Sequence, residues 1–238
     1  TDGTLWHSTA GGFEYQWSPD GKWFTLCFIG NKHDPYSDIG IVSAQGGKIT
    51  NLTNSGYTSG YPAWTMDGNA ILFTSERYGM RNHASWGSME DVFLCFVNQD
   101  AYDKYRLSKE DYELLKEVEK EQEKLKKEEK KDNKKESDQK EEKADKDIVM
   151  ELEGIQDRIV RLTPNSSTLG YAIIDKKGEN LYYTAAFEDA YDLWKINLRS
   201  KDISIYCFIF CFNLLLILQF FICDKYSEIK KNYLNTNY

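Results

Sequence analysis

Short apolar runs separated by turn residues fill the first hundred positions and return after residue 150. Residues 13–17 alternate aromatic and polar side chains, the period of a half-buried strand. Ser18-Pro19-Asp20-Gly21 follows as a turn, in which proline presets φ, aspartate bonds the local backbone and glycine closes the chain reversal. Residues 22–29, rich in aromatic and branched side chains, predict a buried strand, and Asp38–Ser43 predicts another. Gln45-Gly46-Gly47 predicts a hairpin turn into a last strand at 48–52. The same order begins again at Tyr61. Pro62-Ala63-Trp64 leads to a turn at Asp67-Gly68, and strands are predicted at 69–75 and 91–98, separated by a long loop at 76–90.

The repeat has a period. Trp17-Ser18-Pro19-Asp20-Gly21 recurs 47 residues later as Trp64-Thr65-Met66-Asp67-Gly68, and a fainter copy stands at Ile174-Asp175-Lys176-Lys177-Gly178. A strand-and-turn unit of about 40–50 residues predicts a β-propeller, whose ring needs roughly 4–8 blades. The expected fold is therefore all-β, a partial propeller of about three four-stranded antiparallel blades. Two units fall in 1–103 and the third in 151–202, with strands expected at 158–163, 170–175, 180–185 and 192–198.

Two segments depart from this pattern. Residues 104–150 form an insertion, and positions 104–147 alone hold 15 of the 30 Lys/Arg and 16 of the 38 Asp/Glu. Ser108-Lys109-Glu110-Asp111 reads as a helix N-cap, and 112–129 is rich in helix formers with Glu/Lys pairs three and four apart. Leu114, Leu115, Val118 and Leu125 are too few apolar positions for a coiled-coil seam. From 130 to 147 disorder is expected, so the insertion reads as a solvated helix with a flexible tether. Residues 203–238 form the other departure. The run 203–223 carries no charge and is long enough to cross a bilayer as a helix. Yet Gly, Ala, Pro, Arg, Val, His, Met and Trp are missing from 203 to 238, and the tail begins where a further strand is due. Three readings stand: out-of-frame sequence, a transmembrane helix, or a buried apolar helix.

Charge excludes one class of partner. The net charge is −8, almost all of it outside the insertion, and no basic patch exists to neutralise phosphates, so no nucleic-acid partner is expected. Cys27 and Cys95 lie in apolar strands and are expected to be small buried hydrophobes; Cys207, Cys211 and Cys223 share the apolar tail run. His7, His33 and His83 have no metal-ligand spacing, and no cofactor or metal is expected. Asp38, Asp91 and Asp192 each precede a strand and read as repeated turn caps. The loop 76–90 gathers Arg81, His83 and Trp86, a set suited to gripping a peptide, and these three are the candidate substrate-binding residues; the other reading is a loop packed over the edge of the fold. The chain opens on Thr1 without an initiator methionine or signal peptide, so a processed or partial chain is expected and location is not legible at that end.

Pro62-Ala63-Trp64-Thr65-Met66-Asp67-Gly68, with Trp17-Ser18-Pro19-Asp20-Gly21, resembles the WD-like propeller repeat found in TolB, prolyl-oligopeptidase relatives and tricorn proteases. Ser75-Glu76-Arg77-Tyr78-Gly79-Met80-Arg81, 154–164 and the Lys/Glu-rich insertion are similar to the propeller region of bacterial tricorn-type serine peptidases, particularly those of Bacteroidetes. The resemblance covers about residues 1–202. It implies a propeller that guides or gates peptides toward a separate peptidase domain. No stretch here matches that domain, so no catalytic residue is carried over and this chain is expected to be inactive by itself. The implied partners are peptides or unfolded polypeptide and the peptidase domain, and the implied location is the cell envelope, in the periplasm. The alternative implied by the repeat is a TolB-like envelope interaction module, tethered to the membrane if 203–223 is an anchor.

Overall fold

The computed structural model describes residues 4–5, 13–30, 35–81, 88–132, 147–187 and 190–206. They form three antiparallel sheets and two helices. The first sheet contains β1 (Thr4–Leu5), β2 (Tyr15–Trp17), β3 (Trp23–Ile29), β4 (Asp38–Ser43) and β5 (Thr50–Asn51). β1 and β2 both pair with β3, so together they occupy the edge that a single strand fills in the other sheets. The second sheet runs β6 (Ser59–Thr65), β7 (Ala70–Ser75), β8 (Asp91–Phe96) and β9 (Ile159–Arg161). The third runs β10 (Thr168–Ile174), β11 (Asn180–Ala186), β12 (Tyr191–Asn197) and β13 (Ile203–Tyr206).

Alternation gives every strand two faces, and the second sheet packs on both of its own. Cys27, Ile39, Ile41 and Leu52 of the first sheet pack against Ile71, Phe73, Phe93 and Cys95 of the second. The opposite face of the second, with Leu72, Val92, Leu94 and Phe96, packs against Leu181, Tyr183, Ala185 and Ile196 of the third. Cys27 and Cys95 are thus core hydrophobes, as expected. Tyr15 and Trp17 stand on the far face of the first sheet, 61% and 51% exposed, with the Trp17 ring 3.7 Å from Phe24. That aromatic face has no covering sheet among the described residues. Gly40 shows how tight the packing is: a Cβ there would lie 2.5 Å from Ile49 Cγ2 and 2.8 Å from the Phe28 ring.

The aspartates that open β4 and β8 are clasps rather than simple turn caps. Asp38 accepts from Thr53 Oγ1 at 2.6 Å and from the backbone N–H of Ser55 at 2.9 Å. Asp91 accepts from Thr163 Oγ1 at 2.8 Å, Ser166 Oγ at 2.7 Å and Arg161 Nη2 at 2.8 Å. Each threonine oxygen also accepts from the strand that carries its aspartate, at Ile39 N (3.1 Å) and Val92 N (3.2 Å). One buried carboxylate thereby fastens the last strand of a sheet to the third. Asp192 holds the same place in the third sheet, but no Leu-Thr pair follows it in the sequence.

Three expectations change. The strand expected to open the third unit at 158–163 closes the second sheet instead, because β8 offers it a free edge and Asp91 a clasp. The insertion therefore interrupts the second sheet between its third and fourth strands, where the first sheet has only the Ala44–Lys48 turn. It is also bound to the body rather than merely solvated. α1 (Gln99–Arg106) is capped by Asn98, whose side chain accepts from Ala101 N at 2.8 Å. α2 (Lys109–Asp132) starts at Ser108 as expected, with Ser108 Oγ accepting from Asp111 N at 3.1 Å. Positions 133–146 of the expected disordered stretch lie outside the described residues. On return, Ile148, Met150 and Leu152 pack into the core between the first two sheets, and Ile148 N donates to Asp20 Oδ2 at 3.0 Å. Last, the apolar helix expected from residue 203 does not begin there. Ile203–Tyr206 is extended and pairs with β12, whose backbone groups would otherwise be unpaired at a sheet edge. Residues 207–223 lie outside the described residues, among which no helix is long and apolar enough to cross a membrane.

Candidate functional site

The described ends of the loop, 76–81 and 88–90, run antiparallel: Arg81 bridges to Ser88, and Met89 N donates to Met80 O at 3.0 Å. Gly79 is obligatory, since a Cβ would fall 1.5 Å from the Met89 carbonyl oxygen. The Arg81 guanidinium lies 5.0 Å from the Tyr57 ring centre and 5.6 Å from that of Tyr36. Its cationic face is therefore turned to aromatic rings of the neighbouring connections. His83 and Trp86 lie outside the described residues.

A second constellation stands at or just before the strands that lead into the turns, β2, β6 and β10. Glu14, Tyr61 and Tyr171 each precede the glycine of the following turn (Gly21, Gly68, Gly178) by seven residues. In β6 and β10 the pairing register slips by one residue, between Gly60 and Ala63 and between Leu169 and Ala172. A bulge leaves one residue outside the ladder and re-aims its side chain. Tyr61, at φ 53°, and Tyr171 occupy these places, 67% and 86% exposed. The N–H freed at Tyr61 donates to Glu14 Oε2 at 3.0 Å, and that of Tyr171 to Thr184 Oγ1 at 2.9 Å. Gln16 also joins the first strands, accepting from Trp64 N at 2.6 Å through Oε1 and from Trp64 Nε1 at 3.3 Å through its carbonyl.

The charge of Glu90 acts on Tyr61, and that of Glu76 on Glu90. Glu90 exchanges both backbone hydrogen bonds with Ser167, at 2.8 and 3.1 Å, at the entry to β10. Burial pushes the Glu90 carboxyl above its ordinary range; the charges of Glu76, Glu14 and Asp91 add to this, while a bond from Thr74 opposes it. The Tyr61 phenol is raised likewise, first by burial and then by Glu14 and Glu90. Among the described residues no Lys or Arg forms an ion pair with Glu14, Glu76 or Glu90. The row thus presents one carboxylate and two exposed phenol rings, and among the described residues it holds no nucleophile–base pair.

A cavity of about 470 Å³ lies at the other end of the sheets, between α1 and the turns at Met66–Gly68 and 176–178. Its charges are engaged internally. Arg199 Nη1 donates to the carbonyls of Tyr105 (2.5 Å), Leu107 (2.7 Å) and Lys104 (3.2 Å), and the guanidinium lies 4.0 Å from the Tyr112 ring centre. Lys104 pairs with Glu119 at 2.7 Å. This is the seam that holds the insertion to the third sheet. Motif reading missed the Glu14, Tyr61 and Tyr171 row, although its constant seven-residue offset from the turn glycine was available to find it.

No protein-family model matches the chain. Over 59 residues, 25% of this chain and 9% of the relative, it is 39% identical to the uncharacterized peptidase YuxL of Bacillus subtilis (strain 168). The crystal structure of the tricorn protease superposes with a TM-score of 0.50 at 10% identity, over 84% of this chain and 19% of that one. TolB from Acinetobacter baumannii matches at 14% identity over 82% of this chain and 32% of its own, with a TM-score of 0.44. A putative TolB from Agrobacterium tumefaciens matches at 15% identity over 83% of this chain and 50% of its own, also with a TM-score of 0.44. The chain spans half or less of the length of each. In fold it is a section of β-propeller, similar to the propeller region of the tricorn protease.

Proposed function

We propose that the chain is a non-catalytic propeller section that guides or gates peptides toward a peptidase domain outside it. The observation that carries this reading is the Glu14, Tyr61 and Tyr171 row, one side chain from each unit at the same seven-residue offset from its turn glycine, with Tyr61 N bonded to Glu14. Such a row offers a passing peptide hydrogen-bonding and aromatic contacts without a reactive group. The 39% identity with a peptidase and the likeness to the tricorn protease support a proteolytic context. Arg81, with His83 and Trp86, belongs to the rim of the same surface in this reading. The parent protein works in the cell envelope, on peptides or unfolded polypeptide.

The test is titration of the full chain with unstructured peptides labelled at their carboxyl ends, followed by fluorescence anisotropy and by mass spectrometry of the peptide. Saturable binding without cleavage is expected. Absence of binding to every peptide, or cleavage by the purified chain, would overturn the reading.

A further inference from the structure

The two sheet-to-sheet interfaces inside the chain are built alike. Counted from the turn glycines Gly21, Gly68 and Gly178, residues three and five places on face back toward the preceding sheet. Ile71 and Phe73 hold these places and pack on the first sheet; Leu181 and Tyr183 hold them and pack on the second. Residues an even number of places on face forward. Trp23 and Cys27 pack toward the second sheet in this way, and Ala70 and Leu72 toward the third.

One face of each kind has no covering sheet among the described residues. The first sheet presents its backward face, where Phe24 and Leu26 hold the third and fifth places and cluster with Phe28, Val42 and Ile49 alone. Tyr15 and Trp17 stand exposed beside them, and Tyr15, Phe24, Leu26 and Val42 line an apolar cavity of about 300 Å³. The third sheet presents its forward face. Ile173, Tyr182 and Lys195 lie in one cross-strand row, and Thr184, Leu193 and Tyr206 in the next; directly opposed residues share a face. Ile173 and Tyr206 are exposed, and the Lys195 ammonium lies 5.8 Å from the Tyr182 ring centre, held by a ring of its own face.

The described sheets thus end in the two halves of an interface that they make twice among themselves. A face of four strands about six residues long measures about 19 Å by 20 Å. One such contact buries roughly 800 Å², short of a stable association, whereas two bury about 1,500 Å², the ordinary size of one. Three sheets are also too few for a propeller ring of roughly 4–8 blades, and six are enough.

We propose that two copies of this chain join head to tail, the backward face of each first sheet covering the forward face of the other copy's third sheet, so that six sheets close one ring. The contact is heterologous, and closure is what keeps it from growing into a fibre. The pairing goes beyond the peptide-guiding reading and does not depend on it.

The experiment is sedimentation of the full chain over a range of concentrations. A monomer–dimer equilibrium without larger species is expected. Tyr15→Glu on the backward face and Ile173→Glu on the forward face should each weaken the dimer about tenfold or more, because both contacts then bury a charge. An equal mixture of the two variants should recover part of that loss, since the mixed dimer keeps one contact unaltered. Circular dichroism checks that each variant folds, and Trp17→Glu and Tyr206→Glu repeat the test on the same two faces. Monomer at every concentration, which would leave the faces to a different partner, would overturn the proposal. So would open-ended oligomers, or a dimer that substitutions on only one of the two faces weaken.

Discussion

Glu90 and Asp91 are adjacent in sequence and belong to two different regions of the molecule. Asp91 lies in the clasp of the second sheet, with three side-chain donors from Arg161, Thr163 and Ser166. Glu90 has no ion-pair partner among the described residues, and the charges of Glu76, Glu14 and Asp91 act against its own. The 470 Å³ cavity is on the side of the clasp in this contrast, since its Arg199 is spent on the carbonyls of Lys104, Tyr105 and Leu107. Volume therefore does not mark the candidate site in this fold. Polar groups left unmet mark it better, since a chain that stabilises itself satisfies what it buries.

The largest effect that can break this contrast is at the clasp. Asp91→Ala strands the Thr163 and Ser166 hydroxyls and the Arg161 guanidinium, and should cost about 3–5 kcal/mol in denaturant unfolding. A loss below 1 kcal/mol, about the worth of one ordinary hydrogen bond, would remove the clasp from the account. Next is the seam at the insertion. Arg199→Ala releases three carbonyls at the end of α1 and should cost about 2 kcal/mol. Hydrogen exchange should speed up in α1 and the start of α2 but not in β6–β8, and peptide affinity should be unchanged.

Glu90→Gln should act in the opposite direction. The carboxyl is raised in the folded state above its ordinary 4.5, so the folded protein binds that proton more tightly than the unfolded chain. The group's contribution to stability therefore falls as pH rises from the unfolded value through the folded one. At pH 7 the variant should melt about 2–4 °C higher than the parent, an advantage that disappears near pH 4. The smallest effect concerns the core thiols. Burial pushes Cys95 up to about 12 and Cys27 higher still, with Glu14 adding to the latter. Maleimide labelling resolved by peptide mass spectrometry should leave both unmodified until the chain unfolds.

Strands and turns were legible because each rests on local chemistry: the Pro19-Asp20-Gly21 turn, the alternation in 13–17 and the Ser108 cap. Register was less legible. The strand Ile159–Arg161 joins the second sheet through pairing with β8 across more than sixty intervening residues, a non-local choice whose one trace in the sequence is that Leu162-Thr163 matches the closing Leu52-Thr53. The insertion looked solvated because its composition is charged, yet Arg199 and the apolar trio Ile148, Met150 and Leu152 tie its two ends down. Arg81 stands out in the sequence only as one polar residue of a long loop. Its rings, Tyr36 and Tyr57, come from other connections and could not be foreseen. The row escaped notice because bulges, not residue types, bring Tyr61 and Tyr171 to the surface.

The most direct test is a paired measurement in the full chain: the melting temperatures of Glu90→Gln and Asp91→Ala at pH 7. A rise for the first and a fall for the second are expected, since the Glu90 carboxylate strains the fold and the Asp91 carboxylate holds it. A lower melting temperature for Glu90→Gln would contradict the account, because Glu90 would then be a structural residue like its neighbour Asp91.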